Sequence, residues 1–451
     1  MLLRFKCRNL YSIREEQELS LIAAKTRAPE HDEALMDTPI KDVKALRVAA
    51  IYGANASGKS NLLLAMAYMS RMVSESWRKW EPTGKIPGWM PFLLDDESRT
   101  KPALLEVDFA LNGSVYNYGF EYNEERFLKE WLIDTTRRDK VLFLREEGEH
   151  PSQIQFPGRN LSNTSQLQRV RQDLRPNSLF LSAAAQFGHE QLTPIFEWII
   201  ERFYRLQPDL GQYLSYTAEQ CTSVNKLNQI RQILKAAGTG VADIKVTDEN
   251  FSQHDVELRR ALTDLLKSRG LPVPEYISST MHAGIKIQFL HKGEGGKLYE
   301  LPYELESAGT KAFFEMLGPI LCELESGSIL LIDELESSLH PHLARYLVKM
   351  FNDPLLNPRG AQLIYVSHNP VLLDDDLLRR DQIWLAEKDH ESVSAFHSIA
   401  DFKPRKGQDL SIAYLKGRFG GIPFIDEEQW DMAIKSSLEE QLSDAPASAG
   451  V

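Results

Sequence analysis

The residues from Ile51 to Ser60 read Ile-Tyr-Gly-Ala-Asn-Ala-Ser-Gly-Lys-Ser and contain Gly53-x4-Gly58-Lys59-Ser60. Each residue type at that spacing suits the holding of a polyphosphate. Gly53 and Gly58 let the backbone curl until successive N–H groups point at one anion. Lys59 brings an ammonium to the β and γ phosphates, and the Ser60 hydroxyl can ligate Mg²⁺. Asn55, Ser57 and Asn61 belong to the same expected binding set. A helix starting near Lys59 adds the positive end of its dipole. The second chemical group lies far along the chain, where four apolar residues, Ile329–Ile332, run into Asp333 and Glu334. In open α/β sheets, ligands bind at the carboxyl ends of buried strands. Asp333 is there suited to hold Mg²⁺, and Glu334 to accept a proton from an attacking water. Alone, the two acids could simply cap a strand; with the phosphate loop upstream they read as hydrolytic.

These groups need elements to position them. Arg47 to Tyr52 reads as a buried strand, and Leu62, Leu63, Met66, Met69 and Met72 recur at helical spacing as a core-facing stripe. Leu3, Phe5 and Cys7 alternate as a half-buried strand, Asn9 to Ser12 breaks it, and residues 25–44, with Pro29 and Pro39, read as a loop. Leu105 to Leu111 and Tyr116 to Tyr122 alternate about Asn112-Gly113, a hairpin turn signal. Its tyrosines could stack on bases, but packing on a core is the simpler reading. Residues 149–175 are polar and weakly patterned. Residues 190–238 and 254–269 carry apolar faces at helical spacing, without sustained heptads. Strand patterns return at Ile285–Phe289, at Ala361–Val366 and at Ile383–Ala386, with an edge strand at Val393–His397. The organisation expected is an amino-terminal lobe over 1–145 and a largely helical insertion over 146–280. A carboxyl-terminal lobe over 281–442 and a disordered tail over 443–451 follow.

Composition narrows the class. The chain of 451 residues, with 43% hydrophobic and 26% charged residues, reads as an ordinary soluble protein with a large core. A net charge of −12 does not indicate nucleic acid as the main partner, although the pairs Arg137-Arg138, Arg259-Arg260 and Arg379-Arg380 could touch it locally. Three scattered cysteines, Cys7, Cys221 and Cys322, suggest a reducing compartment. No apolar run reaches membrane-spanning length and the amino terminus lacks a signal-peptide core, so the expectation is a cytoplasmic protein without a membrane partner.

Four further segments, in order, resemble motifs of ABC-type ATPases, particularly the SMC-like branch. Glu306-Ser307-Ala308-Gly309-Thr310-Lys311 resembles the signature segment, Glu336-Ser337-Ser338-Leu339-His340-Pro341 the D-loop, and Val366-Ser367-His368-Asn369 the switch histidine. Phe5-x3-Asn9 is similar to the opening strand of SMC-like heads. No Q-loop glutamine can be placed; the stretch Met90-Pro91-Phe92 stands in about the right position without one. The resemblance implies an α/β ABC-type ATPase head, a P-loop NTPase sheet plus an antiparallel β subdomain, with the helical insertion. It implies ATP and Mg²⁺ as ligands and His368 as a catalytic companion of Glu334. It also implies that Ser307 and Gly309 contact the γ-phosphate held by an opposite protomer, hence a homo-oligomer, at least a head-to-tail dimer or a larger ring of heads.

More narrowly, Leu335 to Pro341 and Leu415-Lys-Gly-Arg-Phe-Gly-Gly-Ile-Pro423 are similar to AAA-family ATPases of bacterial defence loci, the OLD-like, RloA-like and AriA-like proteins. That branch implies a nucleotide-dependent sensor or scaffold in an anti-phage, abortive-infection system, controlling a separately encoded effector such as a nuclease or toxin. The alternatives are a DNA-repair or recombination ATPase whose cycle controls nucleic-acid binding, and a nucleotide-locked assembly protein with little turnover.

Overall fold

The amino-terminal residues enter a six-stranded antiparallel sheet of order β2-β1-β6-β7-β8-β9. In the computed structural model its strands are β1 (Leu2–Arg8), β2 (Gln17–Ser20), β6 (Ala103–Leu111), β7 (Ser114–Tyr122), β8 (Phe127–Asp134) and β9 (Lys140–Arg145). The structure describes residues 1–25, 32–146, 154–158, 160–162, 164–206, 213–248, 261, 265, 285–337, 339–405, 407–423 and 426–443. Asn112 and Gly113, at φ 49° and 79°, make the turn of the β6–β7 hairpin, the left-handed pair that a two-residue hairpin requires. Tyr118 and Tyr122 of β7 are fully buried, which favours packing over a stacking platform.

A second six-stranded sheet has order β10-β14-β15-β5-β16-β17. It comprises β10 (Phe203–Leu206), β14 (Ile329–Ile332), β15 (Gln362–Val366), β5 (Val48–Gly53), β16 (Ile383–Lys388) and β17 (Ser394–Ser398). All neighbours are parallel except β17, the edge strand. Every residue of β5, β14 and β15 is buried, as expected of a parallel sheet covered on both faces. One face packs Ala49, Ile51, Leu331, Ile364 and Val366 with the Lys59–Glu75 helix and the antiparallel sheet. The other packs Val48, Ala50, Tyr52, Leu330 and Tyr365 with the helices Ala308–Ser326 and Pro341–Asn352. Successive strand residues thus serve opposite cores. Two small sheets complete the fold: β3 (Leu35–Asp37) with β4 (Lys44–Leu46), and β11 (Val241–Asp248), β12 (Ile285–Lys292) and β13 (Leu298–Pro302).

Three local expectations change. The 25–44 stretch is not all loop, since β3 and β4 pair within it or at its end. The polar 149–175 stretch holds a helix, Thr164–Asp173. The run from 190 to 238, read as helices, also holds a strand, β10, which pairs with β14 and so belongs to the central sheet. Most of the expected 254–269 helix lies outside the described residues. So does the tail from 444, while the helix Glu427–Ser443 occupies the residues before it.

Candidate nucleotide-binding site

Three chemical segments leave the same edge of the central sheet because their strands are parallel. The phosphate loop follows β5, the acids follow β14, and His368 follows β15, which lies between those two strands. At the loop's start, a Cβ on Gly53 would stand 2.3 Å from the Ala386 carbonyl oxygen, so β16 admits only glycine there. At its end, Gly58 has φ +98°, and a Cβ would meet Ser394 Oγ at 2.1 Å and Ser12 Oγ at 2.7 Å. These hydroxyls are bonded to one another at 2.7 Å, and Asn61 Nδ2 donates to Ser12 Oγ at 2.7 Å. A loop of the amino-terminal lobe and the edge strand β17 therefore wedge the turn in place.

Lys59 opens the Lys59–Glu75 helix and is 4% exposed. Its Nζ donates to Gly53 O at 3.0 Å and Ala54 O at 2.6 Å, and among the described residues it forms no ion pair. Burial pushes its pKa down to about 8, against the opposing pull of Asp333, Glu334 and Glu336. A buried ammonium held only by neutral oxygens is a fit for an anion. Ser60 Oγ donates to Asp333 Oδ1 at 3.0 Å. A hydroxyl and a single carboxylate are the donors that suit Mg²⁺ in company with substrate phosphates. Asn55 is exposed and Ser57 buried, its hydroxyl 3.5 Å from Lys59 Nζ.

Glu334 is exposed, in the left-handed region at φ 55°, a conformation that costs a non-glycine residue about 1–3 kcal/mol. His368 is half-buried. Burial first, then the Lys59 charge, hold its imidazole below the ordinary histidine pKa, against Glu336, Glu334 and Asp333. Its backbone is fixed from the D-loop: Glu336 Oε1 accepts from the N–H groups of His368 at 2.6 Å and Asn369 at 3.1 Å. Ser307 and Gly309 stand apart. Both are exposed, and Ser307 Oγ caps its own helix by accepting from Thr310 N at 3.1 Å. Among the described residues neither bonds to the phosphate loop.

Several contributors carry no motif. Arg205 of β10 brings a guanidinium nitrogen to 3.8 Å from Asp333 Oδ2. Pro208, two residues beyond the strand, was the one sequence sign that a helix could not continue there. Glu336 was read only as part of the D-loop, and its grip on the switch segment spans 32 positions. The glycine-rich run near the end of the chain also reaches the site. Gly421 N–H donates to Glu387 Oε1 at 2.6 Å, Tyr414 OH donates to Gly421 O at 3.1 Å, and a Cβ on Gly421 would lie 3.5 Å from Gly53 Cα. The stretch Met90-Pro91-Phe92 is tied to the amino-terminal turn: Met90 O accepts from Tyr11 N, and Phe92 N donates to Asn9 Oδ1.

Residues 48–374, with the phosphate loop near one end and the acids and His368 near the other, match the family described as "AAA domain, putative AbiEii toxin, Type IV TA system". The chain belongs to that family. Membership in this AAA family implies nucleotide binding. No curated protein matches the chain. Among solved structures, the SMC head domain from Thermotoga maritima aligns with TM-score 0.40 and 13% identity, covering 88% of this chain and 98% of that one. An SmcHead bound to the C-winged helix domain of ScpA aligns with the same score and identity, covering 88% and 97%. The overlap is too loose to bear on function. Among the described residues, no helix of this AAA protein is long and apolar enough to cross a membrane.

Proposed function

We propose that this chain is an ATP-hydrolysing ABC-type head that works as the nucleotide-dependent sensor or scaffold of a bacterial anti-phage system and controls a separately encoded effector. The observation that carries the ATPase reading is the 3.0 Å bond joining Ser60 to Asp333 across the edge of the parallel sheet, beside the buried Lys59 ammonium. Lys59 and the loop N–H groups would hold the substrate phosphates, and Ser60 and Asp333 would hold Mg²⁺. When bound, that ion neutralises phosphate charge and orients the terminal phosphate. Glu334 accepts the proton of the attacking water, and neutral His368, steadied by Glu336, donates a hydrogen bond to a terminal phosphate oxygen or bonds the attacking water.

Among the described residues Ser307 and Gly309 are exposed and make no bond to the phosphate loop of their own chain, which supports their acting on the nucleotide of a second copy. The closed pair is then held by contacts that ADP cannot make. The family description, a putative toxin of a type IV toxin–antitoxin system, supports a growth-arrest or defence setting for the effector.

Glu334→Gln should retain ATP and give a stable dimer by light scattering in ATP and Mg²⁺, with phosphate release lost. Lys59→Ala should bind ATP poorly and remain unpaired under the same conditions. An unchanged mass for the Glu334→Gln protein in ATP would refute closure over nucleotide.

A further inference from the structure

A second pairing surface lies away from the nucleotide edge. The helices Val224–Ala236, Ala308–Ser326 and Pro341–Asn352, with the loop that precedes β15, enclose an open groove of about 500 Å³. Ile233, Leu321, Leu324 and Met350 floor it, and Leu355, Leu356 and Tyr346 rim it at 87%, 45% and 54% exposure. Leu355 is the most exposed large apolar side chain among the described residues, and contiguous apolar surface of this kind marks a contact site. Elsewhere on the chain, the helix Glu427–Ser443 packs on nothing over its described side chains: every one from 426 to 436 is exposed, including Trp430 at 63%, Met432 at 67% and Ile434 at 50%. Trp430 and Ile434 are four residues apart and share one face. A lone helix of this length is marginal in water, so its stability calls for a surface to lie on.

The two surfaces are complementary in charge. Residues 426–443 hold six acids against one lysine, Lys435. Arg359 lines the groove, and Lys235 and Lys349 stand on its helices, all exposed and without an ion pair among the described residues, while the acid in the lining, Glu325, is already paired with Lys226. The groove also lies at the amino end of the central sheet, beside the starts of β14 and β15. The C-terminal helix departs from Gly421, packed at the carboxyl end of β5. About 17 Å of strand separates those ends.

We infer that the Glu427–Ser443 helix of one copy lies in the Leu355 groove of a second copy. Because the two surfaces differ, the contact either closes reciprocally about a two-fold axis, each copy giving its helix and receiving the other's, or leaves one helix and one groove free and propagates into a ring or a filament. It needs no nucleotide, which separates it from the closure over ATP.

Trp430→Glu and Leu355→Glu both change exposed side chains, and retained ATP binding by each variant shows that its fold is intact. In nucleotide-free buffer, light scattering after size separation should give the parent chain as a multimer and each variant alone as a monomer. An equimolar mixture should form a dimer, since one variant still offers a groove and the other a helix. A monomeric parent, an undiminished mass for either variant, or a mixture that stays monomeric would each overturn the proposal. The first of those results would hand the groove to a foreign helix.

Discussion

Lys59 carries the residue-scale argument. Its ammonium is buried against two carbonyl oxygens, and desolvation lowers its pKa to about 8. Below that pH the free site holds a cation ready for phosphate. Above it the free site is neutral, while bound phosphate favours the charged form, so binding must take up a proton. ATP affinity measured by titration should therefore fall as pH rises from 8 to 9.5, by roughly tenfold per unit at most. Lys59→Arg, charged throughout that range, should lose the dependence; a parent profile flat to pH 9.5 would remove the buried lysine from phosphate binding. At this scale much of the site was legible. Gly53, Gly58, Lys59, Ser60 and Asp333 announce themselves through local spacing. The hold of Glu336 on the His368 segment does not, because a carboxylate meeting two distant backbone N–H groups leaves no pattern in the chain.

At the scale of elements, legibility follows the length of the apolar signal. The strands β5, β14 and β15 are unbroken buried runs, each followed closely by residues with chemistry, and they were readable for that reason. The four residues of β10, Phe-Tyr-Arg-Leu, are mostly half-buried and follow directly on the helix Thr193–Arg202, so helical periodicity simply appears to run on. The short helix Leu410–Leu415 is another element whose role only packing reveals. Ser411 Oγ donates to Pro370 O at 2.7 Å beside the switch segment. Tyr414 sets its ring edge-on to Tyr52, centroids 6.1 Å apart, directly before Gly53. The helix thus braces the switch segment and the phosphate loop together. Tyr414→Ala should cost about 3–5 kcal/mol, as for other buried aromatic truncations, and should weaken ATP binding in proportion to the loosened loop. Thermal unfolding and ATP titration on the same sample test this: a lowered melting point with unchanged affinity would detach the brace from the site.

For the whole molecule, the question is what makes one body of two sheets. Gln362, at the start of β15 and 1% exposed, accepts from Leu2 N at 2.6 Å. It donates to Leu2 O at 3.0 Å and to Leu46 O at 2.9 Å. One side chain thereby ties β1 of the antiparallel sheet to the central sheet. Gln362→Ala leaves three buried backbone groups without that partner and should destabilise by about 3 kcal/mol or more. Chemical denaturation should show it, and a change below about 1 kcal/mol would mean the apolar core between the sheets holds them unaided. The same interlocking has an evolutionary side at Gly58. Its missing side chain leaves the space that the Ser12 and Ser394 hydroxyls occupy, so three positions spread over nearly the whole chain share one small volume. Drift at 12 or 394 is confined to residues no bulkier than serine for as long as the phosphate loop keeps its shape. Lineages that enlarge one of those positions must shrink or shift the other, and the segments around 12 and 394 are bound to change together.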